Sequence, residues 1–130
     1  MKGISSPGGV SEAFLLPVRQ GYSLDVVDRA LAAGKVSLVE LDRLVLPRKT
    51  LAHRRILGSL TSDQSDRLSR LLRLIDEAEA TFGDAAKAHT WLRRPTPLLD
   101  GEAPLDRLDT DFGSRQVEAI LGRIAHGLAV

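Results

Sequence analysis

The sequence contains no cysteine, a single methionine, tryptophan and tyrosine, and only three phenylalanines. Without thiols there can be no disulfide, no thiolate nucleophile and no zinc site of the finger type, and a reducing compartment suits the chain. With aromatics at 4%, any core must be filled by Leu, Ile, Val and Ala. No run approaches the roughly 20 apolar residues of a membrane span. Lys2 near the start is followed by no continuous apolar stretch of the secretory kind. These absences predict a cytoplasmic protein without membrane contact. The 43% hydrophobic content still provides for one compact domain, or for two small helical lobes.

The hallmarks of catalysis are missing too. There is no nucleophile elbow, no phosphate-cradling glycine loop and no H-E-x-x-H, and Gly8-Gly9 has no flanking strand. His53, His89 and His126 lie far apart, each without a second ligand one helical turn on. Asp109 and Asp111, near a predicted helix start, suit capping and the helix dipole better than chelation. The expectation is a protein that is not an enzyme and holds neither metal nor cofactor.

What is present is charge of uneven distribution and strong helical punctuation. Residues 1–60 carry nine Lys/Arg against five Asp/Glu, residues 61–90 four against six, and residues 91–130 five against six. A basic first part joined to mildly acidic ones suggests two different partners.

Residues 1–20 open Gly/Ser/Pro-rich and are expected to be mobile, with Phe14, Leu15 and Leu16 packing before Pro17. Ser23 should cap a helix with Leu24, Val27 and Leu31 on one face, closed by Gly34. Ser37 and Glu40 form a capping box for a second helix, with Leu38, Leu41 and Val45 inward and Pro47 as its stop. A third helix is predicted over residues 48–57, ended by Gly58. Thr61 and Gln64 form a second capping box, opening a long helix over about residues 62–82 with a stripe of Leu68, Leu71, Leu72, Ile75, Ala78 and Phe82. Asp84 can cap a helix that runs through Trp91 and Leu92. Residues 94–104 read as a Pro-rich loop, and Pro104 starts a short helix with Leu105 and Leu108. The last helix runs from about Thr110 to His126 and points Val117, Ile120, Leu121 and Ile124 inward, with Gly127 just beyond its end. No strand signal appears, so the predicted class is all-α.

The three short helices have the proportions of a helix-turn-helix. Pattern alone leaves two interpretations: Arg48, Lys49, Thr50, His53 and Arg54 presented to a DNA major groove, or a solvated basic face. The stripe Leu68, Leu71, Leu72 and Ile75 of the long helix exceeds what one small lobe easily covers, which suggests a two-fold homodimer unless the C-terminal helices bury it within the monomer. A hetero-oligomer with a partner protein is the other assembly expected.

The C-terminal third carries an extended pattern. It runs Trp91-Leu92, Pro95, Pro97 and Leu99, then Pro104-Leu105-Asp106 and Leu108-Asp109-Thr110. It ends Gly113, Val117-Glu118 and Leu121-Gly122-Arg123-Ile124, with His126-Gly127. This resembles the toxin-binding domain of the Xre/MbcA/ParS antitoxin family, most of all its ParS branch. The stretch from Leu46 to Arg55, with Leu60 to Leu71, is similar to the family's Xre-like helix-turn-helix and linking helix, though shorter and less regular. The resemblance covers about residues 22–130 and divides the chain into a mobile segment 1–20, a helix-turn-helix-like domain 21–60 and a toxin-binding domain 61–130.

The resemblance implies an antitoxin of a type II module. It would neutralise a RES-domain toxin, a relative of ADP-ribosyltransferases that uses NAD, by covering the active site with its C-terminal region, and would repress its own operon. On this reading the toxin contacts are Trp91, Pro95, Pro97, Arg123, His126 and Gly127, together with the tail Leu128, Ala129 and Val130. The alternative is a stand-alone helix-turn-helix transcriptional regulator.

Overall fold

A computed structural model describes Val18 and residues 20–127. The leader and the packing expected of Phe14, Leu15 and Leu16 fall outside these residues, as does the tail Leu128, Ala129 and Val130. Among the described residues the fold is all-α: six α-helices, two 3-10 helices and two isolated antiparallel bridges, Ser23 with Ser59 and Thr96 with Glu102. Two compact units part between Ser69 and Arg70, inside one continuous helix.

The first unit is built by its caps. Helix α1 (Leu24–Ala32) starts where Ser23 Oγ accepts the Asp25 amide at 3.2 Å. Helix α2 (Leu38–Leu44) opens with the complete capping box: Ser37 Oγ accepts from the Glu40 amide at 3.1 Å, and Glu40 Oε1 accepts from the Ser37 amide at 3.0 Å. Helix α3 (Arg48–Leu57) follows Pro47, whose side chain can cap nothing. Asp42 on α2 supplies the cap across the turn, its Oδ1 accepting the Arg48 amide at 2.7 Å. Gly58 ends α3 with φ +89°, a conformation that favours glycine.

The inward faces differ from the predicted ones in two places. Leu38 is exposed and Leu44 is buried, so α2 packs through Leu41, Leu44 and Val45. On α1, Ala30 is buried and Leu31 only half-buried. The capping boxes fix where a helix begins, while neighbouring helices decide which side turns inward.

The entrance and exit of this unit are tied together. The Leu60 amide donates to the Tyr22 carbonyl at 2.8 Å, and the Tyr22 amide donates to Ser65 Oγ at 2.8 Å. The Ser65 hydroxyl in turn donates to the Thr61 carbonyl at 2.7 Å, so each donor in this chain has an acceptor. Gly21 is required here, since a Cβ on it would lie 2.2 Å from the Leu60 carbonyl oxygen. Burial raises the Tyr22 hydroxyl above its ordinary range, a hydrogen bond with Ser69 opposes this, and the Asp66 carboxylate adds to the rise.

Helix α4 (Ser62–Phe82) begins with the second capping box, Thr61 and Gln64 exchanging bonds of 2.9 and 3.1 Å. Leu68, Leu71, Leu74, Ile75 and Ala78 are buried along it, while Leu72 and Phe82 are half-buried. Leu68, Leu71 and Ile75 are thus covered within the single chain. The surplus apolar stripe that argued for a homodimer does not exist on those residues.

In the second unit, α5 (Ala85–Arg93) is capped by Asp84, whose carboxylate accepts the Lys87 amide at 3.1 Å. A 3-10 turn (Pro97–Leu99) interrupts the predicted loop. The short helix predicted after it is a second 3-10 helix (Pro104–Asp109), with Leu105 and Leu108 both buried against α5 and the last helix. Helix α6 (Asp111–Ala125) is capped by Thr110, which accepts the Gly113 amide at 2.9 Å. Val117, Ile120 and Leu121 are buried, but Ile124 is only half-buried, because the helix is leaving the core by its last turn.

Candidate functional site

The loop predicted over residues 94–104 is an ordered knot. The Thr96 amide donates to the Glu102 carbonyl at 3.1 Å, the Gly101 amide returns to the Thr96 carbonyl at 2.9 Å, and Asp100 turns the chain at φ +57°. One side chain holds the knot to the rest of the unit. Arg107 donates through Nε to Glu102 Oε1 at 2.7 Å, through Nη1 to Gln116 Oε1 at 2.7 Å, and through Nη2 to the Leu99 carbonyl at 2.9 Å. Asp100 adds a longer contact at 3.5 Å. The planar guanidinium suits this use, since its five N–H donors are held in a fixed fork that reaches several acceptors spread around one plane.

The predicted toxin contacts divide by role. Pro95 and Pro97 are exposed on the knot, and Arg123, His126 and Gly127 are exposed at the end of α6. Trp91 is half-buried, its ring tilted 47° against Phe82 at 5.4 Å between centroids, so it also supports the fold. Leu98 and Phe112 were not expected, yet both are exposed, Phe112 by 71%. Phe112 went unread because its spacing fits the helix without revealing which way it faces.

The second unit also carries a polar cluster. His89 Nε2 is 2.6 Å from Glu79 Oε2, and Arg93 Nη1 is 2.8 Å from His89 Nδ1. With Arg93 donating to Nδ1, the imidazole proton sits on Nε2 and points at Glu79. Arg73 pairs with Glu118 at 3.0 Å and approaches Glu77 at 3.9 Å. Burial and the Glu118 carboxylate raise the Glu77 carboxyl above its usual range, with Arg73 opposing. Among the described residues no group of three or more His, Asp and Glu side chains could hold a metal ion. No helix among them is long and apolar enough to cross a membrane.

The basic residues of the first unit also divide. Arg48, Lys49 and His53 are exposed on α3, whereas Thr50 is half-buried. Arg54 is half-buried and turned inward, its Nε donating to the Ser59 carbonyl at 2.7 Å. Arg55 pairs with Asp28 of α1 at 3.0 Å.

Comparison with known proteins matches this architecture. Residues 13–73 match the antitoxin Xre-like helix-turn-helix domain, and residues 77–127 match the antitoxin Xre/MbcA/ParS C-terminal toxin-binding domain. The two together define an antitoxin of a toxin–antitoxin system. An antitoxin Xre of Yersinia enterocolitica is 30% identical over 128 residues, covering 96% of this chain and 86% of that protein. An antitoxin Xre of Pseudomonas putida is 36% identical over 111 residues, covering 85% and 69%. A more distant relative, 27% identical over 121 residues and covering 85% and 76%, is a Prs ADP-ribosylating antitoxin of Sphingobium. The chain belongs to the Xre/MbcA/ParS antitoxin family.

Proposed function

We propose that this antitoxin neutralises a RES-domain, NAD-using toxin of ADP-ribosyltransferase type, by laying the surface of residues 91–127 and the tail Leu128–Val130 over the toxin's active site. The observation that carries this is the ordered knot held by Arg107, which presents Pro95, Pro97 and Leu98 to solvent inside a toxin-binding domain. The Prs ADP-ribosylating relative supports both the ParS branch and the chemistry of the toxin. A pocket shaped for NAD offers apolar walls, which the apolar side chains of Leu128, Ala129 and Val130 complement. The antitoxin itself acts in the cytoplasm by binding, not by catalysis and without a cofactor. Residues 61–130 grip the toxin in a hetero-oligomer, and residues 21–60 bring the complex to operator DNA.

The test is co-expression with the product of the adjacent reading frame. Co-purification of a RES-domain protein, and rescue of cells from it, is the expected result. A neighbour that neither binds nor is neutralised would leave the second reading, a stand-alone transcriptional regulator. That reading is favoured by one feature, the exposed Arg48, Lys49 and His53 on a helix free of acidic residues.

A further inference from the structure

Helix α3 has two sides of different character. Leu51 is buried, Thr50 is half-buried, and Arg54 and Arg55 are engaged with Ser59 and Asp28. What remains in water along one line is Lys49, Ala52, His53 and Ile56, at i, i+3, i+4 and i+7. Ile56 is 82% exposed, the most open of the large apolar side chains described. Leu57 beside it is 56% exposed, so the last turn of α3 offers an apolar patch rather than a lone side chain.

We propose that this line is the reading edge of α3, and that Ala52 and Ile56 recognise thymine methyl groups in a DNA major groove while Lys49 and His53 engage phosphate or purine acceptors. The inference rests on the reading of α3 as the DNA-facing helix. Charge favours this occupant: α3 contains no acidic residue, and the nearby Asp42 carboxylate is turned onto the Arg48 amide. The chemistry is specific, because the C5-methyl of thymine is the one apolar group that bases offer in that groove. It leaves Arg54 a lesser part, since its Nε is already bonded to the Ser59 carbonyl.

The experiment uses fluorescence anisotropy with the full chain, alone and with its toxin, on duplexes tiling its own promoter. A bound duplex is then remade with deoxyuridine in place of thymidine, which removes only the methyl groups. Wild type should bind the uracil duplex about tenfold more weakly. Ile56→Ala should lose part of that factor on the thymine duplex and show a smaller penalty on the uracil exchange, Ala52 keeping the remainder, while melting like wild type. Equal wild-type affinity for both duplexes would overturn the methyl readout but leave DNA binding standing. No salt-sensitive binding to any duplex would overturn both. If Ile56→Ala keeps full DNA affinity but changes the mass measured by light scattering, Ile56 contacts another protein and the proposal is wrong.

Discussion

Gly113 lies against the backbone of Arg107: a Cβ built on it would stand 2.0 Å from the Arg107 carbonyl oxygen. The first turn of α6 and the second 3-10 helix therefore touch main chain to main chain. Gly113→Ala must push the two apart and should destabilise the protein by about 1–3 kcal/mol or more. Gly122, one face further along the same helix, has no atom within 4 Å of such a carbon. Gly122→Ala should gain up to about 1 kcal/mol from helix propensity alone. Thermal melts of the pair give opposite signs, and equal signs would show that the close approach does not govern α6.

Arg107 fastens the knot that carries the proposed toxin contacts. Arg107→Ala leaves the Leu99 carbonyl and Gln116 without their donor, and should cost about 2–4 kcal/mol. Arg107→Lys keeps the charge but loses the fork, so it should recover only part of this. Toxin affinity should fall further than stability explains, because Pro95, Pro97 and Leu98 lose their fixed placement. Calorimetric titration at a temperature where both variants remain folded measures the difference.

Ser65→Ala removes the acceptor of the buried Tyr22 amide, and the expected loss is about 1–3 kcal/mol. The effect should appear in chemical denaturation as a lower midpoint with an unchanged slope. A neutral outcome would mean that water reaches the Tyr22 amide.

Glu77 yields a pH dependence. Its carboxyl is raised in the folded state, so its contribution is fully present below the ordinary glutamate value and is lost as pH rises through the raised value. At neutral pH the ionised group therefore weighs against folding. Glu77→Gln should raise stability at pH 7 and change little near pH 4. With the side chain 34% exposed, solvent screening limits the gain to below about 0.5 kcal/mol. Melts at the two pH values check the sign.

The tail separates binding from folding. Deleting residues 127–130 should abolish neutralisation with no loss of melting temperature, because Val117, Ile120 and Leu121 precede the cut. Leu128→Asp should weaken toxin binding by about 2–4 kcal/mol if the tail enters a dry pocket. The control is Leu121→Ala at a fully buried position, expected to cost about 2–5 kcal/mol of stability. A truncated chain that still protects cells would move inhibition onto the knot and Phe112.

Helix boundaries were legible in the sequence because caps are local: Ser23, Ser37 with Glu40, Thr61 with Gln64, and Asp84 all bond as their spacing predicts. The C-terminal motif was legible for another reason, as a long ordered pattern. Facing was less so. Leu38 and Leu44 exchange roles on α2, and Leu74 joins the core unannounced, because a neighbour decides which of several apolar residues turns inward. Bonds that cross between elements were invisible: nothing in the spacing connects Arg107 to Leu99 and Gln116, or Asp42 to the amide of Arg48.

The joining of Tyr22 to Leu60 and Ser65 also sets an order of events during synthesis. Helices α1 to α3 can form as they leave the ribosome, since their caps lie within a few residues. The Tyr22 carbonyl meets its donor only once Leu60 has emerged, and its amide meets its acceptor only once Ser65, in the first turn of α4, has followed. The first unit therefore cannot close until half the chain, through Ser65, has cleared the ribosome, and its nascent helices stay open to solvent, and to proteases, for that interval.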